Sequence, residues 1–161
     1  VSPSEPGASN EWLAEQIMHL LAHARDGEMA ELHGHLEEIY ERAKPKAIYA
    51  MCCALAAAFM QFSFGITERG AAQGAVVALG TDGPVNPDEA RNPVERGMVW
   101  AARFVVAYMD ADDGPAVALF DASLESLDEQ HPHDVTQLAL LAGAALRQHQ
   151  SPPARPDPSL N

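Results

Sequence analysis

The sequence predicts an all-α protein, a single-domain helical bundle of six to seven helices, and three observations carry that expectation. Apolar residues recur at helical spacing along most of the 161 residues. The one stretch that could be read as a strand, 75–79, has no second candidate to pair with. A pattern of Asp-Gly, apolar-periodic helix, Pro and apolar Ala-rich run also occurs twice at a constant offset of 87, from Gly27 to Gly114 and from Pro45 to Pro132.

Residues 1–9 are rich in Pro, Ser and Gly and read as a disordered arm. Asn10 is the expected cap of a helix over 11–25, whose inner face is Trp12, Leu13, Ile17, Leu20, Leu21 and Ala24. Gly27, just past the last periodic residue, stops it. A helix over 28–43 follows, with Met29, Leu32, Leu36, Ile39 and Tyr40 on one side and Glu31, Glu37, Glu38 and Glu41 on the other. After Pro45, residues 46–64 form a helix that is apolar almost all round. Such a helix is the centre of a globule or a membrane span; its high Ala content favours the buried centre, because Ala gains little on entering lipid.

The connector 65–91 is read as helical over 67–79 and as a turn-rich loop beyond. Asn92-Pro93-Val94-Glu95 is the best local signal: a capping Asn, a Pro suited to the first helical position, and a Glu placed to reach back toward the cap. The helix it opens runs over 93–110, with Met98, Ala101, Ala102, Val105, Val106 and Met109 inward and Trp100, Phe104 and Tyr108 beside them. A helix over 115–129 carries the stripe Val117, Phe120, Leu124 and Leu127. The last helix, 134–148, turns Val135, Leu138, Leu141, Ala142, Ala145 and Leu146 inward, and the Pro-rich tail 151–161 reads as unstructured.

At offset 87 Asp26 meets Asp113, Leu32 meets Leu119, Glu38 meets Glu125 and Ile48 meets Val135, with no gap. The helical domain 10–150 then divides into units 10–64 and 92–150 joined by 65–91. The two three-helix repeats would pack about a pseudo-twofold axis.

Acidic residues outnumber basic ones 23 to 10, for a net charge of −13. That argues against nucleic acid and against an anionic membrane, both of which call for basic patches. It leaves room for a basic protein partner or a cation. The vicinal Cys52 and Cys53 point about 100° apart on a helix and are poorly placed to bridge each other, which fits a reducing cytoplasm. No basic segment followed by an apolar one opens the chain. Abundant Ala, and Arg well in excess of Lys, suggest a GC-rich bacterial genome.

Four histidines are the first chemical candidates. His19 and His23 are spaced i, i+4 on one helix, and His33 and His35 lie on the next. Facing helices would let His19, His23 and one of the second pair converge on zinc, nickel or copper. The heavier reading is a solvated polar face, because the phase of the first helix turns Glu15, His19 and His23 outward. His131-Pro132-His133-Asp134 reads as a capped turn ahead of the last helix, with proton transfer or ligand binding as the lesser alternative. Met51, Phe59, Met60, Phe62 and Phe64, with Met98 and Trp100, are core residues that could also line a pocket for an apolar ligand. Neither a GxSxG elbow nor a phosphate-binding Gly loop is present, and no cofactor is implied.

The sequence therefore leads to a non-catalytic cytoplasmic helical protein, an interaction or regulatory module whose partner is another protein or a second copy of itself. A small apolar-ligand domain is the alternative. A metal-binding protein built on His19, His23, His33 and His35 comes third.

Overall fold

The structure is a computed structural model that describes residues 9–70, 90–126, 129–151 and 159. These form six helices and no strand: α1 (Asn10–Asp26), α2 (Met29–Arg42), α3 (Pro45–Phe64), α4 (Pro93–Met109), α5 (Asp113–Glu125) and α6 (Gln130–Gln150). The expected arm, apart from Ser9, the part of the connector helix past residue 70, Leu127, and the tail, apart from Ser151 and Ser159, lie outside the described residues. Residues 67–70 are not helical.

Local chemistry sets most helix ends. Ser9, in extended conformation, caps α1 by accepting from the Trp12 amide at 3.1 Å, so the cap falls one residue before the expected Asn10. Gly27 closes α1 in the left-handed region at φ 73°, with the Glu28 amide reaching back to His23 O. Pro45 occupies the first position of α3, where its missing amide costs nothing. Asn92 caps α4 as expected, accepting from Glu95 N at 2.8 Å; Glu95 reaches back to the Arg91 amide, one residue before the cap. At the other end of α4, Arg69 donates to Tyr108 O, lies over the Tyr108 ring and pairs with Asp113, while the Gly70 amide donates to Met109 O. The start of the connector thereby satisfies carbonyls that the helix end leaves open.

The centre of the bundle is α6, not α3 as expected. α6 packs against all five other helices, whereas α3 packs chiefly against α1, α4 and α6, with Tyr49 edge-on to Phe120 of α5. α3 buries Ile48, Met51, Cys52, Leu55, Ala56, Phe59 and Met60, and its Ala50 and Gln61 are exposed. By length and composition alone α3 could cross a membrane.

Two glycines allow α6 its close neighbours. A Cβ on Gly143 of α6 would stand 2.5 Å from Ala24 Cβ and 2.7 Å from the Arg25 backbone nitrogen in α1. A Cβ on Gly97 of α4 would stand 2.8 Å from His133 O in α6. Both helices thus meet α6 almost backbone to backbone.

The buried faces differ from expectation in three places, the first being Met29, expected on the inner face of α2 and exposed. In α4, Trp100 and Phe104 are buried and stacked on each other, with the indole donating to Leu119 O; turning them inward rotates Met98 out into solvent. In α5 the buried line is Ala116, Phe120 and Ser123, leaving Val117 and Leu124 exposed. The Asp-Gly marks also play different parts. Gly27 ends α1, while Gly114 lies inside the first turn of α5 and the left-handed position falls at Ala111, φ 57°.

Candidate functional site

His131-Pro132-His133-Asp134 is not a turn ahead of the last helix. α6 begins at Gln130, so these residues form its first turn, and Pro132 is tolerated there because first-turn amides have no intrahelical partner. Helical phase buries His131 and Asp134 together and leaves His133 exposed. Both meet Ser123 on α5. The hydroxyl donates to Asp134 Oδ2 at 2.5 Å and lies 2.7 Å from His131 Nδ1. Gln130 Nε2 donates to Asp134 Oδ1 and to Pro93 O, each at 2.8 Å. The cluster therefore ties the end of α5 and the starts of α4 and α6 into one hydrogen-bonded junction.

Its proton inventory decides its chemistry. Ser123 has a single hydroxyl proton, and an ionised Asp134 takes it. His131 must then donate through Nδ1, which leaves its lone pair on Nε2, away from Ser123. A Ser-His-Asp triad needs the imidazole between the acid and the serine, with its lone pair on the serine hydroxyl. Here the serine stands between the other two, the reverse of that order. Ser123 is itself buried. Burial holds His131 down to about 4, so the ring is neutral at pH 7, and burial pushes Asp134 up against the opposing pull of Ser123 and Gln130. Tyr40 and Phe120 pack edge-on against His131 at 5.5 and 5.4 Å between ring centroids. The arrangement is built to hold helices together.

The second cluster lies on the α1–α2 hairpin. His35 stacks on His19 at 5.2 Å and on His23 at 4.9 Å, with interplanar angles of 4° and 26°. The antiparallel helices thus bring together His19, His23 and His35, while His33 stays exposed on the other side of the turn. Ring faces meet, rather than lone pairs. Among the described residues no group of three or more His, Cys, Asp or Glu is placed to hold a metal ion. His35 Nδ1 bonds to the buried Gln16 at 3.1 Å, His23 Nδ1 to Glu28 at 3.2 Å, and His19 Nε2 lies 3.8 Å from Glu15.

The remaining candidates scatter. Met51, Phe59, Met60 and Trp100 are buried in the common core, and Phe62 is half-buried against His149 at 5.3 Å. Phe64 and Met98 are exposed. Phe59 and Phe64 touch edge-on at 6.0 Å. Cys52 is buried and Cys53 half-buried; burial raises both thiols, which keeps them protonated and unreactive. Cys53 shares a hydrogen bond with Tyr49, whose hydroxyl burial pushes up to about 12.

Comparison with known proteins adds no relative: no protein-family model, no curated protein and no solved structure matches the chain.

Proposed function

We propose that this chain is a non-catalytic helical protein of the cytoplasm that works as an interaction or regulatory module. The observation that carries the reading is the outer surface of the α4–α5 hairpin. Val94 and Met98 on α4 are 46% and 41% exposed, and Val117 and Leu124 on α5 are 41% and 38% exposed. Met98 and Leu124 sit equally far in sequence from the bend at Ala111, which places them at one level of the antiparallel pair. Exposed large apolar side chains such as Met98 and Leu124 are what a partner surface presents. The chain's net charge of −13 favours a partner whose rim is basic where it meets the acids. Ser123 stands between His131 and Asp134 instead of His131 between the other two, which supports the non-catalytic half of the proposal.

We further infer that the two halves are copies of one three-helix unit. Helices of 17, 14 and 20 residues are followed by helices of 17, 13 and 21. At offset 87 the buried residues of α3 and α6 fall in phase: Ile48 with Val135, Met51 with Leu138, Cys52 with Ala139, Leu55 with Ala142.

The test pairs native mass spectrometry of the full chain with affinity capture by wild type and by a Met98→Glu, Leu124→Glu double variant. The expected result is a dimer or a captured partner that the variant loses while its helical circular dichroism is unchanged. A strictly monomeric chain that captures nothing, or a complex indifferent to the two charges, would sink the proposal.

A further inference from the structure

One side chain of α2 lies across three positions of α1. The His35 ring is shared by two stacks, with His19 on one contact and His23 on the other, and its Nδ1 is bonded to the buried Gln16. α2 packs chiefly on α1, with a smaller contact to α6, and its buried apolar residues are Leu32, Leu36 and Ile39. The imidazole group therefore supplies the polar half of the seam that holds α2.

We propose that His19, His23 and His35 form an acid-sensitive clasp, which holds α2 against α1 while the rings are uncharged and loosens that helix when they charge. Neutral imidazoles stack face to face without electrostatic cost. Rings with centroids 5.2 and 4.9 Å apart repel once neighbours carry like charge, and the partly buried central ring has least access to water. Burial, then His23 and His19, hold the His35 pKa below the ordinary value, and Glu38 alone opposes them.

The charged surroundings are few. From α1 Glu15 faces His19, and from the turn Glu28 bonds His23. On α2 the carboxylate acting on His35 is Glu38. Asp26 at the end of α1 interacts with His23 and, from α6, with Arg147, while His131 and Asp134 face Tyr40 rather than the stack. Among the described residues α3 sends no charged group to His35. The sign follows. The native ring of His35 binds its proton less readily than a ring freed from the seam, so the seam is strongest above the ordinary histidine pKa and weakens as pH falls through it.

The experiment is amide hydrogen exchange on the full chain, followed by NMR between about pH 8 and about pH 5, with protection corrected for intrinsic exchange. Protection in α2 should fall relative to α6 as the pH drops, the direction set by the lowered His35 pKa. The His35 ring resonances of the wild type should titrate with the same midpoint. His35→Phe, which stacks and does not charge, should leave α2 protection level across the range. Protection in α2 that tracks α6 at every pH, or a midpoint unlike that of His35, overturns the clasp. So does a folded His35→Phe chain that loses α2 protection in acid as the wild type does. Should His35→Phe not fold, the comparison of the two midpoints in the wild type decides alone.

Discussion

Replacing Gly143 by Ala sets two physical effects against each other. Intrinsic propensity favours Ala over Gly inside a helix by about 1 kcal/mol. At Gly143 the new methyl would stand 2.5 Å from Ala24 Cβ, 2.7 Å from Ala24 C and 2.7 Å from Arg25 N. Two of those three atoms are backbone, so no rotamer change clears the space. α1 and α6 must separate by about 1 Å to restore ordinary contact, and a gap of that order gives up roughly a quarter to a half of each contact's van der Waals attraction. Leu20, Leu21 and Ala24 of α1 are all buried and share that loss. Overpacking of this kind costs about 1–3 kcal/mol, and a backbone obstacle belongs at the upper end, so the net change is a destabilisation of about 2 kcal/mol. Gly34 is the control. It is also helical, and a Cβ there would meet nothing within 4 Å. Gly34→Ala should therefore gain roughly 0.5–1 kcal/mol from propensity and from a less flexible unfolded chain. Urea unfolding of the three proteins, compared at equal m, reads both numbers. A Gly143→Ala protein as stable as the wild type would refute the close approach of α1 and α6, and with it the central place of α6.

Two further outcomes concern the buried junction. Ser123→Ala leaves Asp134 and His131 without the hydroxyl they share, and should cost about 2–3 kcal/mol in urea unfolding; a loss within about 0.5 kcal/mol, the range of ordinary surface sites, would mean that the junction does not hold the helices. His131, held down to about 4 in the folded state against an ordinary value near 6.5, makes the folded chain bind fewer protons between those limits. Its stabilising contribution is complete above pH ~6.5 and is lost as pH falls toward about 4, by roughly 3 kcal/mol at most, softened at the acid end because the raised Asp134 acts in the opposite direction. His131→Phe should remove this part of the pH dependence of the urea midpoint, and an unaltered profile would show that His131 titrates normally.

The helical class and six helices were legible because the apolar period is local information. So was the α4 cap, where Asn92, Pro93 and Glu95 each have one obvious use. The α1 cap was not, because Ser9 and Asn10 are both capable and propensity does not choose between neighbours. The face of α4 was misplaced because GMVWAARFVVAYM is apolar on nearly every side; only the bulk of Trp100 and Phe104 meeting α5 and α3 decides which side is in. The junction was half legible. Pro132 reads as a breaker, yet first-turn Pro is tolerated, and that hides His131 and Asp134 inside α6. Ser123 had a signal of its own, lying i+7 from Ala116 and i+3 from Phe120, but the competing stripe of larger residues outweighed it. The i, i+4 pair of His19 and His23 foretold a shared face, and the Asp-Gly turn foretold a partner on α2. Whether rings would present lone pairs or faces depends on side-chain torsions that spacing does not contain.

The place of α6 has a consequence for how the protein is made. It is the last of the six helices to leave a ribosome, yet every other helix rests on it. The side-chain bond from Arg25 to Gln150 closes a loop of 125 residues. Until Gln130–Gln150 emerges, α1, α3 and α4 can form as local turns of helix but lack the surface they share. Synthesis from the front would leave Leu20, Leu32, Leu55 and Phe104 waiting in a loose, chaperone-accessible intermediate, and arrival of the final helix would convert it to the native core in one late cooperative step.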